Sequence, residues 1–114
     1  MCGIAGFSGE FDERLLSHMA SLIRHRGPDD GGLLYLKENG LGLAHRRLSI
    51  IDLTTHGQQP MWDMSRRAVI SFNGEIYNYA EIKKDLVARG YTFRSESDTE
   101  VLLNAYLCYG HDII

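Results

Sequence analysis

The chain has 114 residues, 44% of them apolar and 24% charged, and a formal net charge of −3. That length is one domain with no room for a second core of similar size, and the composition is globular rather than disordered. Lys and Arg are scattered, no apolar stretch reaches the length of a bilayer span, and no basic segment precedes an apolar run, so nucleic-acid, membrane and secretory readings are set aside.

In chain order, residues 3–8 read as a short buried strand. Asp12 is placed to cap a helix whose apolar positions, Leu15, Leu16, Met19, Leu22 and Ile23, recur at helical spacing. The helix ends before His25-Arg26-Gly27-Pro28-Asp29-Asp30, where Gly and Pro enforce a loop. Strands over 32–37 and 41–45 flank Glu38-Asn39-Gly40, and Asn-Gly between apolar runs signals a hairpin. After Arg46-Arg47-Leu48-Ser49-Ile50-Ile51-Asp52 comes a polar loop to Pro60. Residues 68–72 read as a strand entering Asn73-Gly74-Glu75. Asn78 and Glu81 have the spacing of a capping box, for a helix that runs to Arg89 and stops at Gly90. Residues 91–94 read as a further strand. Ser97 and Glu100 repeat the capping-box spacing and open a helix that ends at Gly110, after which residues 110–114 look like the start of another element. Strands interspersed with helices, without βαβ alternation, predict the α+β class.

Cys2 and Cys108 are far apart and do not form a disulfide framework, so a cytoplasmic thiol protein is expected. Cys108 sits in an apolar helical stretch and reads as packing. The five histidines have no paired spacing, and no metal site is expected from them.

The chemistry-bearing residues are dispersed. Removal of Met1 would leave Cys2 with a thiol and a free α-amine on one residue. An α-amine titrates at about 7.7–8.0 and a thiol at about 8.5, so the amine can serve as base for its own sulfur. Taken alone, Cys2 reads more simply as a small apolar residue opening a strand. Asn73-Gly74 can aim a side-chain amide and a backbone N–H at one oxygen, as an oxyanion hole does, although a plain turn explains the pair by itself. Arg47 carries a fork of donors suited to a carboxylate, with a surface arginine as an even alternative. Asp98 in a first helical turn and Glu75 at a helix entry can hold an ammonium, or serve the helix ends alone. Together these groups fit cleavage of a carboxamide whose other end is an amino acid, which describes glutamine.

Five blocks carry a resemblance: Met1-Cys2-Gly3-Ile4-Ala5-Gly6-Phe7, Arg24-His25-Arg26-Gly27-Pro28-Asp29, Ala44 to Asp52, Phe72-Asn73-Gly74-Glu75-Ile76-Tyr77-Asn78 and Ser97-Asp98-Thr99-Glu100-Val101-Leu102. In that order they resemble the N-terminal class II (Ntn-type) glutamine amidotransferase domain of glutamine-hydrolysing asparagine synthetases. The second and fourth blocks resemble that branch rather than the amidotransferases of glucosamine-6-phosphate synthase or of the first purine step.

The resemblance implies an Ntn-hydrolase-like four-layer αββα sandwich of antiparallel sheets. Residues 1–114 would be the N-terminal portion of its amidotransferase domain, with the C-terminal strands and the synthetase domain missing. It implies Cys2 as nucleophile with its α-amine as base, and Asn73 and Gly74 as the oxyanion hole. Arg47 would bind the substrate α-carboxylate, Glu75 and Asp98 the α-ammonium, and Leu48, Ser49, Ile50 and Ile51 would line the substrate. His25 and Arg26-Gly27-Pro28 would shape a wall or lid, without a catalytic role. Glutamine would be hydrolysed to glutamate and ammonia through a thioester, feeding ATP-dependent amidation of aspartate to asparagine. No cofactor is implied for glutamine hydrolysis; ATP and Mg²⁺ are implied for the synthetase domain. The expected partners are glutamine and that domain, and a homodimer is left open. The alternatives are a paralogue amidating another acid, or a truncated, inactive module that binds glutamine or a partner. On its own the segment is expected to fold poorly and to show little glutaminase activity, with sheet edges unpaired and apolar faces exposed.

Overall fold

A computed structural model describes residues 2–48 and 57–113. They form two compact units, the first built from residues 2–48, 58–60 and 71–74 and the second from residues 57, 61–70 and 75–113.

In the first unit, β1 (Gly3–Ser8), β2 (Asp30–Leu36) and β3 (Leu41–Arg47) form an antiparallel sheet in the order β1-β3-β2. The helix α1 (Glu13–Leu22) packs on one face of it. Asp12 caps that helix as expected, its Oδ1 accepting the Leu15 N–H at 3.0 Å. Leu16 and Ala20, one turn apart, reach Ala44 on the central strand, with Ala5, Phe7 and Tyr35 around them. β1 is covered at alternate positions, fully at Gly3 and partly at Ala5 and Phe7, rather than buried throughout, and Ile4 stays 48% exposed. The hairpin is present, but its connection is longer than a two-residue turn. Lys37–Asn39 make one 3₁₀ turn and Gly40 takes a left-handed φ of 58° that a side chain would resist. β3 runs two residues beyond the expected end because Arg46 pairs with Gly3 and Arg47 with Asp30.

The loop after α1 folds back on the end of β3. Asp29 N–H donates to the Arg47 carbonyl at 3.1 Å, and Pro28 forms an isolated bridge with the same residue. Gly27 is required by this approach, since a Cβ there would overlap the backbone carbonyl of Arg46. Arg46 Nε closes the contact by donating to the Gly27 carbonyl at 3.0 Å.

In the second unit, β4 (Met61–Trp62) pairs antiparallel with β5 (Val69–Ile70). The turn between them is organised by buried Asp63, which accepts the N–H groups of Ser65, Arg67 and Ala68 and the Ser65 hydroxyl. Burial pushes the Asp63 carboxyl up, but those hydrogen bonds outweigh it and hold the group below the ordinary carboxylate range. The strand expected over 68–72 is thus two residues long. Ser71 and Phe72 give their hydrogen bonds to side chains and to β3 of the first unit's sheet instead.

The helices α2 (Tyr79–Ala88) and α3 (Asp98–Tyr109) pack through Leu86, Val101 and Ala105, with Tyr79, Ile82, Tyr91, Phe93 and Cys108 at the margin. Cys108 is therefore a packing residue, as its apolar setting suggests. The Asn78 capping box does not form. Its ψ of 24° lies far from the extended geometry a capping side chain needs, and no side-chain cap bond is made. Gly90 does end α2, with a φ of 96°, while Gly90 N–H reaches the Val87 carbonyl and Tyr91 N–H the Leu86 carbonyl, each at 3.0 Å. That pair is the Schellman arrangement. Ser97 caps α3 by accepting the Thr99 N–H at 3.0 Å. Glu100 does not complete that box: its carboxylate turns back to the N–H groups of Arg94 and Ser95 and to the Ser95 hydroxyl. With those donors taken, residues 91–94 form no strand. Residues Gly110–Ile113 make a short 3₁₀ turn. Antiparallel sheets with separate helices place the protein in the α+β class, as the sequence predicts.

Candidate active site

The start of β1 and the end of β3 bring Cys2, Arg47 and Leu48 together. Gly3 pairs with Arg46, and one step further along that register sets Cys2 opposite Arg47. The half-buried Cys2 thiol meets the Leu48 backbone: Leu48 N–H donates to Sγ at 3.4 Å, and Sγ faces the Leu48 carbonyl at 3.7 Å. A backbone donor is thus already aimed at the sulfur. Gly3 next to it has Arg26 and Ile23 at 3.1–3.2 Å from where a Cβ would stand. The Arg24–Arg26 turn therefore lies beside Gly3, the residue that follows the cysteine.

Arg47 is buried rather than on the surface. Its register partner is Asp30, a carboxylate with no expected role in the site. Asp30 accepts the Gly31 N–H at 2.7 Å and the Gln58 amide at 2.6 Å. Those two bonds outweigh the upward effect of burial and, with the lesser help of the Arg47 and Arg46 charges, hold its carboxyl below the ordinary range. Asp30 stays an anion near the Arg47 guanidinium. The signal for it in sequence was the strand pairing, which composition and spacing do not specify.

Asn73 and Gly74 belong to the same unit and are exposed. Gly74 leaves the Phe72 ring in place, since a Cβ there would come within 2.6 Å of its Cζ. Glu75 and Asp98 belong to the second unit. Asp98 is buried at the first turn of α3, and its Oδ2 accepts the Ile76 N–H at 2.9 Å. That bond ties the residue following Glu75 to α3 and places the two acidic residues in one neighbourhood. Glu75 is exposed. Ser49, Ile50 and Ile51 lie outside the described residues. Among the described residues no group of three or more His, Cys, Asp and Glu side chains could hold a metal ion. Nor is any helix long and apolar enough to cross a membrane.

His45 is the other residue the sequence left unassigned. It is 1% exposed, on β3 two residues before Arg47, with Nε2 3.1 Å from the Phe72 carbonyl. A carbonyl only accepts, so Nε2 carries the proton. Nδ1 is buried and has no hydrogen-bond partner among the described residues. Burial lowers the His45 pKa below 6.5 and outweighs the bond to Phe72; Arg47 opposes the charged form and Asp30 favours it. As pH falls below 6.5, the unfolded chain takes up a proton at this residue before the folded one does. Folding stability is therefore greatest above that value and declines on acidification through the interval beneath it. Melting temperatures measured from pH 7 to 5 are expected to fall, with a shallower slope in His45→Gln.

Cys2 thus stands at the start of β1 and buried Arg47 at the end of the central strand of an α+β unit. The chain belongs to the glutamine amidotransferase domain family, whose model matches residues 1–114. It is similar to glutamine-hydrolyzing asparagine synthetase 1 of Bacillus subtilis (strain 168), 44% identical over 96% of this chain and 18% of that protein. It is 39% identical to glutamine-hydrolyzing asparagine synthetase 1 of Arabidopsis thaliana, over 100% of this chain and 20% of the relative. A putative enzyme of the same name from Methanocaldococcus jannaschii is 38% identical over 100% of this chain and 25% of its own length. The chain spans about a fifth of the length of the curated relatives it matches.

Proposed function

We propose that this chain hydrolyses glutamine to glutamate and ammonia through a thioester on Cys2, and that the ammonia is used to amidate aspartate. The observation that supports the reading is the placement of the Cys2 sulfur against the Leu48 backbone, one residue past Arg47 at the end of β3, in a chain of the amidotransferase family. With Met1 removed, the Cys2 α-amine takes the thiol proton and the sulfur attacks the side-chain amide carbon of glutamine. The oxyanion that forms is stabilised by the Asn73 side-chain amide and the Gly74 N–H. As the tetrahedral species collapses, the C–N bond breaks and the α-ammonium returns its proton to the leaving nitrogen, giving ammonia and a glutamyl thioester. Water activated by the same amine then cleaves the thioester and releases glutamate.

Arg47 pairs with the substrate α-carboxylate, and Glu75 and Asp98 hold its α-ammonium. The Leu48-Ser49-Ile50-Ile51 backbone lines one side of the substrate. Support for Arg47 comes from its burial on the central strand, with the Asp30 carboxylate as its register partner. Support for Asp98 comes from its burial with one oxygen engaged. No cofactor takes part in these steps. ATP and Mg²⁺ belong to the synthetase region of a longer protein, and the names of the relatives favour aspartate as the acceptor of ammonia.

Arg47→Ala and Asp98→Asn test the recognition roles. Each removes a charged contact made alike in ground and transition states, worth about 1.5–3 kcal/mol, so KM for glutamine is expected to rise roughly 10- to 100-fold with kcat little changed. An unchanged KM in both variants would show that neither residue binds the amino acid.

A further inference from the structure

We propose that His45 is a positioning residue for the oxyanion-hole pair, acting through its Nε2–H bond to the Phe72 carbonyl. The inference rests on the roles of Asn73 and Gly74 given above. The Phe72 carbonyl belongs to the same planar peptide unit as the Asn73 N–H, so holding that oxygen fixes the plane from which Asn73 begins. Rotation of the plane would swing the Asn73 side chain away from any oxygen it is meant to meet.

Among the described residues, three bonds hold this peptide segment. Ser71 Oγ donates to the Ala44 carbonyl at 3.1 Å, Phe72 N–H donates to Gln59 Oε1 at 2.6 Å, and His45 Nε2 donates to the Phe72 carbonyl at 3.1 Å. Gln59 can sit there because Gly32, the register partner of His45, has no side chain; a Cβ would overlap the Gln59 carbonyl. Two of the anchors, Ala44 and His45, are consecutive residues of β3, and Arg47 follows on the same strand. One strand thus sets both the arginine for the carboxylate end of the substrate and the segment that presents Asn73 and Gly74. The buried ring donates from Nε2 alone, since a second N–H at Nδ1 would find no acceptor among the described residues.

The test is glutamine hydrolysis by the full-length protein with His45→Phe, His45→Gln and Cys2→Ala side by side. Phe keeps the bulk and removes the donor, whereas the Gln amide can still reach the Phe72 carbonyl. His45→Phe is expected to lower kcat roughly 10- to 100-fold with KM within about twofold, because a misplaced hole costs the transition state and not substrate binding. His45→Gln is expected to recover most of that loss. A wild-type kcat in His45→Phe, or an equal loss in both variants, overturns the proposal. Should His45→Phe not fold, Ser71→Ala, which removes a neighbouring anchor with little change of volume, is expected to lower kcat at constant KM. An unchanged kcat there overturns the proposal too. Turnover persisting in Cys2→Ala would sink the underlying reading. Turnover lost in Cys2→Ala but intact in His45→Phe would sink the positioning role alone.

Discussion

Cys2→Ala is expected to abolish glutamine hydrolysis, a loss of at least roughly 1000-fold in kcat, because the covalent route has no second nucleophile to fall back on. Alanine retains the strand start and the pairing of Gly3 with Arg46, so the fold should survive and the loss should be chemical. Cys108→Ala is the matched control. That thiol packs against the Leu86, Val101 and Ala105 core of the second unit. Loss in the first variant with retention in the second, and a glutamyl adduct detectable by mass spectrometry only when Cys2 is present, is the expected result. Equal activity in wild type and Cys2→Ala would remove the sulfur from the reaction.

Asn73→Ala should cost kcat about 100- to 1000-fold while KM for glutamine moves by less than about threefold. The reason is electrostatic. The amide donor meets an oxygen that is only weakly charged in bound glutamine and carries a full negative charge in the tetrahedral species, so its bond strengthens as the barrier is climbed. Gly74 N–H remains in the variant and accounts for residual turnover. Arg47→Ala should behave in the opposite way, with KM rising and kcat kept, so the two substitutions together separate recognition from catalysis. A rise of KM alone in Asn73→Ala would mark Asn73 as a binding residue with no part in stabilising the oxyanion.

Local signals in the sequence were read well where one residue decides the geometry. Asp12 and Ser97 cap their helices, Gly90 and Gly110 end theirs with positive φ, and the Asn39-Gly40 pair marks the hairpin. The failures come from side chains that take backbone partners at a distance. The spacing of Glu100 predicts a bond at its own helix start, yet its carboxylate serves Arg94 and Ser95 and so replaces a strand over 91–94. Asn78 has the right spacing and the wrong ψ. Ser71 and Phe72 leave the strand pattern because Gln59, Ala44 and His45 hold them.

The site divides in the same way. The blocks around Cys2, Arg47, Asn73-Gly74 and Asp98 could be named from residue order alone. The register that sets Cys2 opposite Arg47, and the pairing of Asp30 with Arg47, are non-local and carry no sequence pattern of their own. His45 illustrates the limit most clearly. A histidine inside an apolar strand reads as a structural residue, and only the bond to Phe72 connects it to the segment beside the reacting atoms.

The most direct measurement is the N-terminal mass of the purified, active full-length protein, taken together with its rate of glutamine hydrolysis. Active molecules are expected to begin at Cys2 with a free α-amine, and any fraction that retains Met1 is expected to be inert. Full-rate hydrolysis by molecules that still carry Met1 would contradict the account, since their Cys2 nitrogen is an amide and cannot accept the thiol proton.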